Sequence, residues 1–149
     1  MFTTNVFDYT NILDKAADTS WMRENVITNN IANITTTRTE DGTPYRRKIV
    51  TFAEKTETPF SQYYETARAR AVGNGVKVTS VKEDDETEMR MVYDPSHPDA
   101  DENGYVTYPN VNTVTEMTNL IDATRAYEAN TTAFDATKSM VQAALNISK

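Results

Sequence analysis

The sequence predicts an α+β fold: long N- and C-terminal helices packing as a coiled coil, with a small β-rich middle domain. Three observations predict it. Residues 5–34 and 113–147 carry helical apolar periodicity without a single Gly or Pro. All four glycines and all five prolines fall between them, within residues 35–110. That same stretch alternates apolar and polar side chains in short runs, the period of a strand. The chain therefore divides into an N-terminal helix (1–34), a middle domain (35–110) and a C-terminal helix (111–149).

In the N-terminal segment Val6, Tyr9, Leu13, Ala16, Ala17, Ser20, Ile27, Ile31 and Ile34 recur mostly at intervals of three, four or seven. Asp14, Lys15, Asp18, Arg23 and Glu24 occupy the polar face. The segment closes on NNIAN, residues 29–33. Asn is unfavourable inside a helix because its side chain competes for backbone groups. Two readings stand: a C-terminal cap, or a buried Asn that fixes the register of a helical assembly.

Four short runs in the middle domain read as strands: Tyr45–Phe52, Val76–Val81, EMRMVY with Met89, Met91 and Tyr93 facing one way, and Tyr105–Tyr108. The acidic run Glu83–Glu88 reads as a solvated turn between two of them. Residues 55–72 read as a loop with a short helix. The basic stretch Arg46-Arg47-Lys48 suits pairing with the acidic run or with a partner subunit.

Residues 99–104, DADENG, place Asp99, Asp101, Asn103 and Gly104 where a calcium-binding EF-hand loop has its first, third, fifth and sixth positions. The match fails at position twelve, where a bidentate Glu is needed and Asn110 stands. Pro95 and Pro98 forbid the preceding helix, and Pro109 sits where the following helix would begin. Asp, Asn and Gly are also what a tight turn before YVTY requires.

The C-terminal helix opens on Thr113-Val-Thr-Glu116, the pattern of a capping box. Its apolar positions are Val114, Met117, Leu120, Ile121, Thr124, Tyr127, Phe134, Val141, Ala144 and Leu145.

Composition narrows the function. The chain has 149 residues, 38% of them hydrophobic, and a net charge of -7. The mean hydropathy is -0.62. An acidic chain without a concentrated basic patch argues against a nucleic-acid partner. With no cysteine, disulfides, zinc–thiolate sites and thiol catalysis are excluded. His97 is the single histidine, so a multi-histidine metal site is excluded too. No catalytic triad, paired carboxylate site or Gly-rich phosphate loop is marked, so no enzyme, cofactor, metal or small-molecule substrate is expected. The N-terminus lacks the features of a cleaved Sec signal, and no apolar run is long enough to span a bilayer, so no membrane insertion is expected.

Helices of this length reach ~45–50 Å at 1.5 Å per residue. A compact body of this size has a radius of gyration of only about 15 Å. Helices longer than the body keep an apolar stripe to bury, which favours a subunit completed by its neighbours. The simpler alternative is a two-helix hairpin capping a small β-domain.

NNIAN followed by TTTRTEDGTPYRRK resembles the signature of the bacterial flagellar axial proteins of rod and hook. Asn30, Ala32, Asn33, Thr37, Gly42, Tyr45 and Arg46 carry it. VYDPSHPDADENGYVTYPNVNTVTEM, ATRAYEAN and ATKSM are similar to a rod member of that family. The resemblance covers residues 5–52 and 92–147, while Glu54–Gly75 and Glu83–Glu88 follow no family pattern.

The resemblance implies a structural subunit of the proximal rod in the cell envelope or periplasm. Such subunits are exported unfolded by the flagellar type III apparatus without a cleaved signal. They polymerise with other rod subunits and copies of themselves into a torque-transmitting tube. Their terminal helices form its inner coiled-coil layer. Leu13, Ile27, Ile31, Ile34, Leu120, Ile121, Tyr127, Phe134, Val141 and Leu145 would carry the helix packing. Asn30, Ala32, Asn33, Tyr45 and Arg46 would shape the junction with the middle domain. The competing expectation is a secreted coiled-coil effector or adhesin.

Overall fold

A computed structural model describes residues 2–55 and 75–147, with side chains from Tyr9 onward. Helix α1 spans Phe2–Ala32 and helix α2 spans Thr113–Ile147. Four strands lie between them: β1 Lys48–Glu54, β2 Val76–Glu83, β3 Arg90–Tyr93 and β4 Tyr105–Tyr108. They form two two-stranded sheets, β1 with β2 and β3 with β4. The class is α+β, as the patterning implies. The expected loop and short helix at 55–72 fall, beyond Lys55, outside the described residues. Among the described residues, no helix is long and apolar enough to cross a membrane.

The chain forms two compact units. One holds Met1–Met22, Phe52–Thr79 and Ala123–Lys149; the other holds Arg23–Thr51 and Ser80–Asp122. In the first, Asn130 Nδ2 on α2 donates to Ser20 Oγ on α1 over 3.3 Å. Leu13, Ala17, Trp21, Tyr127, Thr131 and Phe134 line an open groove there.

Most of the buried side chains among the described residues lie in the second unit. Val26, Ile27 and Val106 are buried, and so are the polar side chains of Asn30, Asp84, Asn110 and Glu116. The β3–β4 register pairs Tyr93 with Tyr105 and Val92 with Val106. Alternation then sends Val106 inward, 0% exposed, and Tyr93 outward, 64% exposed. The Tyr93 and Tyr105 rings meet edge to face at 5.2 Å.

Three local expectations change. β1 begins at Lys48 rather than Tyr45, because the Arg47 N–H donates to the Asn110 side chain over 2.8 Å instead of a strand partner. The helix cap is Asn112, whose Oδ1 accepts from Thr115 N at 3.1 Å, so no Thr113–Glu116 box forms. The acidic run is not uniformly solvated, since Asp84 within it is buried.

Candidate functional site

Four sequence-distant segments converge in the second unit on one buried polar junction. Asn30 lies in the last turns of α1, where helical spacing after Val26 and Ile27 turns it inward. Its Nδ2 donates to Lys48 O at 2.9 Å and to Glu116 Oε2 at 3.0 Å. Its Oδ1 accepts from Lys48 N and from Tyr45 Oη, both at 2.9 Å. These use all four hydrogen-bonding positions of the amide. Asn30 thus grips both backbone groups of Lys48, as a strand partner would, and fastens the start of β1 to α1.

Glu116 stands in the first turn of α2 with 1% exposure. Its Oε1 accepts from Arg47 Nε at 2.9 Å and lies 2.8 Å from Arg47 Nη2. The same guanidinium reaches Asp84 Oδ2 through Nη1 at 3.4 Å. One cation therefore faces two buried carboxylates, which keeps each from being an uncompensated buried charge.

Asn110 completes the junction. Its Oδ1 takes the Arg47 N–H, and its Nδ2 donates to Asp84 O at 2.8 Å and Thr87 O at 3.1 Å. The Asp84 carboxylate closes its own turn. It accepts from Thr87 Oγ1 at 2.8 Å, Thr87 N at 3.0 Å and Glu86 N at 3.2 Å. These bonds, the Thr87 hydroxyl first, hold Asp84 below its ordinary pKa, with Arg47 adding to them and burial opposing. Burial, and then the charges of Glu83 and Glu116, raise the Tyr45 hydroxyl above its usual value. Among the described residues, no buried side-chain nitrogen or oxygen lacks a partner.

The NNIAN stretch divides its labour. Asn30 is the buried one. Asn33 serves the helix end, its Nδ2 donating to Asn29 O at 2.9 Å and its Oδ1 accepting from Thr36 Oγ1 at 3.1 Å. Ala32 is exposed and makes no part of the junction. Arg46 leaves it too, pairing with exposed Asp85 at 3.2 Å. Both arginines meet the acidic run, one of the two partners expected for them.

The DADENG loop is built as a turn. Asp101 Oδ1 accepts from Asn103 N at 2.9 Å and Tyr105 N at 2.7 Å, and Gly104 takes φ +82°. Asp99 Oδ2 accepts from Thr37 Oγ1 at 2.8 Å, and Arg38 lies 3.7 Å from its Oδ1. His97 Nδ1 accepts from Asp99 N at 3.1 Å. The carboxylates that would hold calcium are engaged in ordering the loop and fastening it to the segment after α1.

Along the helices, Ile27 is buried, while Leu13, Ile31, Leu120, Tyr127 and Val141 are half-buried; Ile34, expected on the first helix, lies half-buried in the turn just after α1 ends at Ala32. Ile121 and Leu145 are 53% and 63% exposed, so their apolar surface is largely open to a neighbour, while Phe134 at 36% is mostly covered. Sequence reasoning missed Glu116, Asp84 and Asn110 as junction residues. The available signal was the presence of carboxylates on both sides of the Arg46-Arg47-Lys48 stretch.

The sequence is similar to those of known proteins. The model for the C-terminal region of the flagellar basal body rod FlgEFG proteins matches residues 102–147, which take in β4, Asn110 and all of α2. The chain is 41% identical over 148 residues to the flagellar basal-body rod protein FlgC of Borreliella burgdorferi, covering 95% of this chain and 97% of that one. It is 42% identical over 149 residues to FlgC of Bacillus subtilis, covering 96% and 98%. It is 39% identical over 143 residues to FlgC of Salmonella typhimurium, covering 96% of each.

Proposed function

This chain belongs to the FlgC family of flagellar basal-body rod proteins, structural subunits of the rod, and from that premise we propose that its terminal helices polymerise it into the proximal rod. The observation that carries the reading is the apolar surface left open on α2. Val114, Met117, Ile121, Met140, Leu145 and Ile147 are each more than half exposed. Burial against neighbouring rod subunits and copies of this chain removes that surface from water, at roughly 25 cal/mol per Å².

In the assembled rod, Leu13, Ile27, Ile31, Ile34, Leu120, Ile121, Tyr127, Phe134, Val141 and Leu145 pack the helices as a coiled coil. The 1–34 and 111–149 segments form the inner layer, and the 35–110 segment forms the body. Asn30, Asn33 and Tyr45 shape the junction with the middle segment, and Arg46 braces its rim through Asp85. The mechanism is mechanical: torque passes along the packed helices, with no substrate turned over. The subunit reaches the cell envelope through the flagellar type III export apparatus. A lone stripe does not offset ordering entropy of about 1–2 kcal/mol per residue, so helix ordering is coupled to assembly.

The test is deletion of the gene in its flagellated host, with basal bodies examined by electron microscopy. Truncated basal bodies and lost swimming are expected, with rescue by the plasmid-borne chain. Full-length basal bodies in the deletion strain would overturn the rod reading in favour of a secreted effector.

A further inference from the structure

The first unit carries an open groove of a second kind, lined by Lys15, Asp18, Thr19, Trp21, Met22, Lys55, Val76, Lys77 and Val78. Its base is apolar: Trp21 is 56% exposed, and Met22 and Val76 are 38% and 40% exposed. Three lysines line it on a chain whose net charge is -7. Lys15 is neutralised locally by Asp18 at 3.0 Å. Lys55 and Lys77 make no ion pair among the described residues. The Lys55 N–H donates to Gly75 O over 2.9 Å, which sets these two residues opposite each other. Lys77, two residues further on, stands on the same face as Lys55. Among the described residues no carboxylate meets these two like charges, and such a pair on one face is unfavourable until an anion does.

The second unit carries a feature of opposite sign. Asp85, Glu86 and Glu88 are exposed on the β2–β3 turn. That turn is held rigid by the four hydrogen bonds to the Asp84 carboxylate and by Asn110. A rigid acidic knob loses little entropy on docking. Asp85 is already matched by Arg46, which leaves Glu86 and Glu88 as its outward charges.

We propose that the Trp21 groove of one copy receives the β2–β3 turn of a second copy, with Glu86 and Glu88 meeting Lys55 and Lys77. The proposal rests on the rod reading. A contact between two different faces of one chain extends head to tail rather than closing as a two-fold dimer, and builds an open helical array wherever its rotation does not close into a ring.

The absence of cysteine makes the test clean. Chains carrying Lys77→Cys with Glu86→Cys are expressed in the deletion host, and basal bodies are isolated under mild oxidation. A ladder of disulfide-linked copies is expected from the double variant and from neither single variant. A dimer from Lys77→Cys alone would overturn the proposal, because two grooves would then face each other. Monomer only, with the chain present in the basal bodies, would overturn it while leaving the rod reading intact. A wild-type chain absent from basal bodies would overturn both. An independent arm uses charge reversal. Lys55→Glu with Lys77→Glu should lose swimming, and Glu86→Lys with Glu88→Lys in the same chain should restore it. Swimming unaffected by the lysine reversals would sink the contact.

Discussion

Arg47 and Glu116 meet at 2.8 Å, joining the approach to β1 to the first turn of α2. Glu116 is 1% exposed and Arg47 only partly covered, so the pair sits at the inner edge of the second unit. Removing one partner leaves a charge that water reaches poorly. Glu116→Leu should lower unfolding free energy by about 3 kcal/mol, the lower end for a buried pair because Arg47 retains some solvent and its contact with Asp84 at 3.4 Å. Arg47→Met combined with Glu116→Leu should cost less than the two single changes added together. Urea denaturation of the four proteins in a double-mutant cycle measures this, and additive costs would show that the pair is not coupled.

Asn30 makes a sharper case because the amide uses both donors and both acceptors. Asn30→Asp keeps the shape and replaces the donating nitrogen with a second oxygen facing Glu116 Oε2, now 3.0 Å from Nδ2. Asn30→Leu keeps the volume and leaves Lys48 N and O unmatched. Each should cost about 2 kcal/mol or more, since buried groups left unsatisfied cost about 1–3 kcal/mol each. Denaturant midpoints report the loss, and a change under half that size would mean that water replaces the amide.

The Asp84 carboxylate has a folded pKa below its ordinary value of 3.8. Its contribution to stability is therefore complete above that value and is lost as pH falls through the folded pKa. The second unit should weaken below about pH 4, where the unfolded carboxylate takes up its proton first. Thr87→Val removes the largest cause of the shift and should move the acid midpoint to higher pH. Tyr45 acts at the other end. Its raised pKa means stability present below its ordinary value of 10.0 and lost as pH rises through the folded pKa. Circular dichroism against pH for the wild type and Thr87→Val checks the acid limb.

Two glycines with left-handed backbone predict different costs. Gly42, at φ +77°, has open space where a Cβ would stand, whereas at Gly104 a Cβ would lie 3.0 Å from Tyr93 Cε2 and 3.3 Å from Pro95 Cβ. Gly42→Ala should cost about 1–2 kcal/mol from the left-handed conformation alone. Gly104→Ala adds the clash and should cost more. Thermal melts of the two variants give the order directly, and equal melting temperatures would refute it.

Ile31 tests the packing surface of α1. Ile31→Asp places a charge on a half-buried helix position next to buried Asn30. The chain should still be expressed, and cells should fail to swim. Normal motility in soft agar would remove Ile31 from the packing set.

Much of the fold was legible along the chain. Apolar spacing and the absence of Gly and Pro marked both helices, with α1 observed at Phe2–Ala32 and α2 at Thr113–Ile147. Alternation marked β4 at its observed bounds, Tyr105–Tyr108. The turn chemistry of DADENG was legible for the same reason: Asp101 bonds to Asn103 and Tyr105, residues within four positions of it. Family membership was legible because long contiguous motifs recur.

Tertiary structure decided what each polar residue does. Glu116 sits where a capping box would use it, yet its carboxylate bonds to Arg47, 69 positions away. Asp84 belongs to an acidic run that reads as solvated, yet it alone of the neighbouring acids is buried. Asn30 reads equally as a cap or a register residue, and only the approach of Lys48 and Glu116 shows that it is buried and what it bonds. Periodicity and turn propensity are properties of neighbouring residues, so a sequence displays them. Burial of a charge depends on which distant partner comes within hydrogen-bonding distance, and folding alone brings the partners together.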